Sequence, residues 1–170
     1  MFAILREDDM LDNLEQNSDR RLAQRKDPII KKMLIIDDES GYLNLLKRVF
    51  FNTARTIIDV NNGMNALRKV MEDGEVFECI VVDLKLPDGC GLNLIPIIRK
   101  YQPQASIIIS TAYEATNRDQ ITQLVIEDKV DYVHEKGGSL ACLKAFVNLN
   151  ERSKRMANGE QRPGNQPEQT

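Results

Sequence analysis

Three carboxylates stand where apolar runs stop. Met33-Leu34-Ile35-Ile36 ends on Asp37-Asp38, and Cys79-Ile80-Val81-Val82 ends on Asp83. A carboxylate at the end of a buried strand is costly unless a partner neutralises it. Several crowded together oppose one another's ionisation. A hard divalent cation removes that conflict, and Mg²⁺ takes one or two carboxylates while keeping several waters. Further along, Ser106 to Ser110 is followed by Thr111, a hydroxyl, and Lys136 supplies a positive charge on a long stem. Carboxylate, cation, hydroxyl and ammonium around one crevice suit a phosphoryl group, whose transfer needs positioning and charge neutralisation above all. Asp83 is then a candidate nucleophile, since a carboxylate can form an aspartyl phosphate.

The elements must bring these residues together. Strands are expected at 33–36, 56–60, 79–82, 106–110 and 131–133, each followed by apolar residues at helical spacing. The inward sets are Leu43, Leu46, Val49 and Phe50; then Ala66, Leu67, Val70 and Met71; then Leu94, Ile95 and Ile98; then Ile121, Leu124 and Val125; and last Leu140, Leu143, Phe146 and Val147. Ser139 can cap the last helix. Five strand–helix repeats predict an α/β fold: a doubly wound, five-stranded parallel sheet of order 2-1-3-4-5, a flavodoxin-like three-layer sandwich. That order sets strands 1 and 3 side by side at the switch point, where ligands bind beyond the carboxyl ends. Asp37, Asp38 and Asp83 then meet. The alternative, in which Asp38 or Ser40 only caps the first helix, accounts for one residue and leaves the rest of the cluster aside.

Composition bounds the function. The 170 residues suit one domain with tails: an extension over 1–31, a domain over 32–150, and a polar, disordered tail over 151–170. A net charge of −3 gives no footprint for nucleic acid. No apolar run spans a bilayer, and Met1-Phe2-Ala3-Ile4-Leu5 is cut short by charges, against a secretory signal. Cys79, Cys90 and Cys142 form no metal-ligand pairs and fit a reduced, cytoplasmic setting, with Cys79 and Cys142 read as core residues. His134 reads as a surface residue, and Arg152, Lys154 and Arg155 as a solvated helix end.

The segments IIDDES, VVDLKLPDGCGL, IIISTAY and DYVHEKGG, in that order, resemble the receiver domain of two-component response regulators, from about Lys32 to Leu149. The resemblance implies that Asp83 accepts a phosphoryl group from a histidine of a sensor kinase or a histidine phosphotransfer protein. It implies that Asp38, Asp83 and the main-chain carbonyl of Lys85 bind Mg²⁺, with Asp37 holding a metal-bound water. Thr111 and Lys136 would contact phosphoryl oxygens. Tyr132 would be the aromatic that moves with Thr111, changing a surface read by a downstream protein, and Tyr113 would shield the phosphate from water. The sequence departs from the family's pattern where Gly137-Gly138 replaces the usual proline, and Tyr132 lies one residue further from Lys136 than usual.

The reading is a stand-alone signalling switch rather than an enzyme, a monomer or weak homodimer with no nucleic-acid or membrane partner. The alternative is a pseudo-receiver, an interaction module that never takes up phosphate. A phosphohydrolase or nucleotide enzyme is disfavoured, because no GxxxxGK[ST] or GxGxxG follows any strand.

Overall fold

The computed structural model describes residues 28–72, 74–112 and 117–159. Five parallel strands form one sheet: β1 (Ile30–Ile36), β2 (Ala54–Val60), β3 (Cys79–Asp83), β4 (Ser106–Thr111) and β5 (Tyr132–Glu135). Their spatial order is β2-β1-β3-β4-β5, the order the alternating pattern predicts. β3 sits at the centre and is buried along its whole length, which is why Cys79 to Val82 carries no polar alternation.

Helices cover both faces. α1 (Ser40–Phe50) and α5 (Leu140–Ala157) pack one face, with Tyr42, Leu43, Leu46, Phe50, Leu143 and Val147 against Met33, Ile35, Val81 and Ile108. α2 (Gly63–Met71), α3 (Ile95–Tyr101) and α4 (Arg118–Ile126) pack the other, around Leu34, Ile36, Ile80, Val82, Ile107 and Ile109. Alternate strand residues feed opposite layers, so each strand serves both cores. α4 is the loosest of these helices. None of its residues is buried, and Ile121 and Leu124 only partly reach the core. Val125, expected to point inward, is exposed, as is Met71.

Between β3 and α3 the chain makes a two-residue antiparallel ladder, Lys85–Leu86 with Gly89–Cys90, and a single 3-10 turn over Gly91–Asn93. Gly91 is fixed there by contact. A Cβ on it would lie 1.9 Å from the carbonyl oxygen of Asp83, so only glycine lets the loop fold back over the end of β3. Pro96 falls in the first turn of α3, where its missing N–H is harmless.

The last helix runs past the expected boundary at 150. Residues 151–157 are helical, and their side chains explain why. Glu151 is buried and accepts a hydrogen bond from Ser106 Oγ at the start of β4. Asn150 and Lys154 also bond Ser106 Oγ, at 2.8 and 2.7 Å, and Lys154 reaches the Gln104 carbonyl. Lys154 is therefore an anchor, not part of a solvated helix end. Cys142 is exposed, while Cys79 is buried as expected.

Candidate functional site

β1 and β3 are neighbours in register, Ile36 beside Val82, so the residues that follow them emerge side by side. One carboxylate oxygen from each of Asp37, Asp38 and Asp83 lies within 4.8 Å of the others. Asp38 is exposed, whereas Asp37 and Asp83 are 1% and 4% exposed. Asp83 is thus sunk at the base of the crevice rather than standing free at the sheet's end. The crevice is an open cleft of about 640 Å³ lined by Asp38, Asp83, Lys85, Thr111 and Lys136 among others. The topology brings every one of these predicted residues to one place. The N–H of Lys85 donates to Asp83 Oδ1 at 3.3 Å.

Lys136 follows the outermost strand on that side and reaches back over β4. Its backbone N–H donates to the Thr111 carbonyl at 2.8 Å. Its ammonium donates to Asp83 Oδ2 at 2.9 Å and lies 2.8 Å from Asp37 Oδ2. The second contact is an ion pair, and among the described residues buried Oδ2 of Asp37 accepts no hydrogen bond of good geometry. Burial pushes the Asp37 carboxyl above its ordinary value. Lys136 and the Glu39 N–H oppose that push, and the charge of Asp83 adds to it. Burial works against the Lys136 ammonium, but its contacts with the Asp37 and Asp83 carboxylates prevail and hold its pKa above the ordinary one. A buried carboxylate oxygen that accepts no hydrogen bond of good geometry, next to two further acids, fits a hard cation with oxygen ligands.

Asp37 has a second task. Its Oδ1 accepts the N–H of Glu39 at 2.9 Å, at the mouth of α1. Neither Asp38 nor Ser40 caps that helix: Glu39 holds the N-cap position without a side-chain bond.

Two site residues have no counterpart in the sequence reading. Tyr42, in the first turn of α1, places its ring 4.8 Å from the Lys136 ammonium and its hydroxyl 2.9 Å from Ser110 Oγ. Burial, more than the nearby carboxylates, raises its pKa and keeps the phenol neutral. Asp88, in the turn after β3, accepts the N–H groups of Gly63 and Met64 at 2.8 Å each and so ties that turn to the start of α2. These two bonds hold the Asp88 carboxyl below the usual range. Tyr42 stands one helical turn after Asp38, and that spacing is the only trace it leaves in the sequence.

Two expectations need correction. Tyr132 does not face Thr111. It stacks on Phe146 of α5, ring centroids 4.4 Å apart, in the layer of α1 and α5. The residues that share a crevice with Thr111 are Val133 and Glu135, beside Arg118, Ile121, Thr122, Val125 and Ile126 of α4. The extra residue between Tyr132 and Lys136 moves the aromatic to the other face of the strand. His134, expected at the surface, is 3% exposed on the same face as Tyr132, and its Nε2 has no hydrogen-bond partner among the described residues. Tyr113 lies outside the described residues.

A sequence profile of the response regulator receiver domain matches residues 33–144. The chain belongs to that family. The receiver is 31% identical over 87 residues to the transcriptional regulatory protein SrrA of Staphylococcus aureus, a match covering 51% of this chain and 35% of SrrA. It is 25% identical over 101 residues to ZraR of Klebsiella oxytoca, covering 59% of this chain and 22% of that protein. The matches thus span about a third or less of those relatives. A response regulator receiver domain protein from Methanospirillum hungatei superposes with a TM-score of 0.66 at 20% identity, over 75% of this chain and 98% of that one. A Burkholderia pseudomallei response regulator, solved with a phosphorylated aspartic acid, a calcium ion and citrate, gives 0.59 at 26% identity, over 78% of this chain and 75% of that one. No described helix is long and apolar enough to cross a membrane.

Proposed function

We propose that this receiver is the phosphoacceptor of a two-component relay, taking a phosphoryl group on Asp83 from a histidine of a sensor kinase or phosphotransfer protein. One observation carries the reading: the Asp83 carboxylate lies at the floor of an open cleft, beside Asp37, Asp38 and the Lys136 ammonium.

Asp38, Asp83 and the Lys85 carbonyl would hold Mg²⁺, with Asp37 acting through a bound water. When bound, the ion offsets negative charge on the phosphoryl oxygens. The chain's own groups supply the rest. An Asp83 oxygen attacks phosphorus in line, the P–N bond to the donor histidine breaks, and the imidazole leaves with the bond's electron pair. Lys136 is already in the cleft and exchanges a carboxylate oxygen for a phosphoryl oxygen. Thr111 offers its hydroxyl, which donates to the Ala112 carbonyl at 3.2 Å.

Thr111 also links the cleft to the output surface, since it lines both the cleft and the crevice under α4. A shift of this side chain toward the phosphoryl group alters the wall of that crevice beside Val133. Phosphorylation biases the two arrangements through this difference in contacts. The downstream partner is then a protein that reads α4 and β5, and the setting is the cytoplasm.

Intact-mass measurement after incubation with Mg²⁺ and acetyl phosphate tests the proposal. One phosphate should add to the wild type and none to Asp83→Asn. An unmodified wild type would favour the pseudo-receiver, and steady hydrolysis of the donor without a protein-bound phosphate would favour a phosphohydrolase.

A further inference from the structure

The Lys136 ammonium has four partners, and they differ in kind; one is the exposed carboxylate of Glu39, 3.8 Å away at the solvent side. Two are the carboxylates of Asp37 and Asp83, at 2.8 and 2.9 Å. These belong to the cluster that would take a divalent cation. A lysine held only by them competes with the cation for the same oxygens and is repelled by its charge. The fourth partner is the ring of Tyr42, 4.8 Å from the ammonium. Its attraction comes from the ring's quadrupole and does not involve the oxygens that the cation uses.

Its backbone is held by the N–H bond to the Thr111 carbonyl, 2.8 Å long, which leaves the long side chain to its own partners. The next two residues are Gly137 and Gly138, which have no side chains to pack. The Tyr42 ring, by contrast, is fixed at both ends. Tyr42 itself is buried in the first turn of α1, and its hydroxyl is tied to buried Ser110 Oγ, one residue before Thr111.

We propose that Tyr42 is a positioning residue that keeps the Lys136 ammonium in the cleft when Asp37 and Asp83 are engaged by a cation. This rests on the phosphoacceptor reading for its purpose but not for its geometry. The ring face holds the charge, and the hydroxyl holds the ring. The ammonium is thus ready for the phosphoryl oxygens at the moment its carboxylate partners are committed elsewhere. Ser110 becomes part of the same assembly, because it fixes the phenol and adjoins Thr111.

The test compares full-length wild type, Tyr42→Phe and Tyr42→Leu. The first readout is the Lys136 CεH₂ resonance, assigned by its loss in Lys136→Arg and followed during a Mg²⁺ titration. In wild type and Tyr42→Phe it should stay shifted upfield by the ring, with and without Mg²⁺, and in Tyr42→Leu it should move to the position of a solvated lysine. The second is phosphoryl uptake from acetyl phosphate at saturating Mg²⁺. Tyr42→Leu should be slower by roughly 2- to 30-fold, the range of a cation–π contact, while its Mg²⁺ affinity stays within about twofold of wild type and Tyr42→Phe restores most of the rate. Loss of the upfield shift when Mg²⁺ is added to wild type would overturn the proposal, as would wild-type uptake by Tyr42→Leu. If Tyr42→Leu does not fold, the wild-type titration decides alone. If wild type takes up no phosphate, the phosphoacceptor reading falls, and the resonance still decides whether the ring holds the lysine.

Discussion

Lys136 Nζ sits 2.9 Å from Asp83 Oδ2, bridging from the end of β5 across β4 to the end of β3. Both side chains are largely buried, so the pair is an internal charge contact and not a surface ion pair. The same ammonium also faces Asp37, which makes one positive charge the main compensation for two buried carboxylates.

Removing that charge should therefore destabilise the metal-free fold. Lys136→Met leaves Asp37 and Asp83 uncompensated, and breaking a buried pair in this way costs about 3 kcal/mol. Urea denaturation should show this loss without divalent cation and a smaller loss when Mg²⁺ is present. An equal loss under both conditions would mean that the cation does not share the lysine's carboxylates.

Gly91→Ala should damage the site through the backbone. The added Cβ would meet the Asp83 carbonyl oxygen at 1.9 Å and Leu84 Cα at 3.0 Å, neither of which can turn aside as a flexible side chain would. A displaced loop or a loss of about 3 kcal/mol is expected, with weaker Mg²⁺ binding because Lys85 belongs to the same loop. Wild-type stability and metal affinity in Gly91→Ala would contradict the close approach.

His134 gives the fold a pH dependence. Burial lowers its pKa below the ordinary 6.5, more than the nearby charge of Glu135 raises it. Between the two values the unfolded chain binds more protons than the folded one, so the stability is fully present above about pH 6.5 and declines as pH falls toward the folded value. Thermal melts from about pH 7.5 to 5 should show a steeper decline for wild type than for His134→Leu. Parallel curves would mean that the imidazole protonates freely in the native state.

Shortening the chain to residue 150 should weaken the domain. It removes Glu151 and Lys154, both bonded to Ser106 at the start of β4, and leaves that buried hydroxyl with Asn150 alone. A loss of about 1–3 kcal/mol in urea is expected, against none if the boundary lay at 150.

The sheet order was legible because β1, β3 and β4 are apolar runs between clear helical patterns, and parallel topology then leaves few arrangements. The convergence of Asp37, Asp38 and Asp83 followed from that order. What escaped was decided by single-residue phase or by distant partners. Tyr132 and Val133 are adjacent, and the local pattern of β5 does not say which faces α4. His134 looks like a surface residue by type, but it alternates with Val133 and so falls on the buried face. Lys154 looks solvated until Ser106, 48 positions away, is placed under α5. The partners of Tyr42 are also remote: Ser110 lies 68 positions along the chain, and Lys136 lies further still.

Chemical mapping of the phosphate decides whether Asp83 is the acceptor. After reaction with Mg²⁺ and acetyl phosphate, borohydride reduction converts an aspartyl phosphate to homoserine, which peptide mass spectrometry then locates. Homoserine should appear at position 83 and nowhere else. Homoserine at another position, or an unreduced chain, would contradict that role for Asp83.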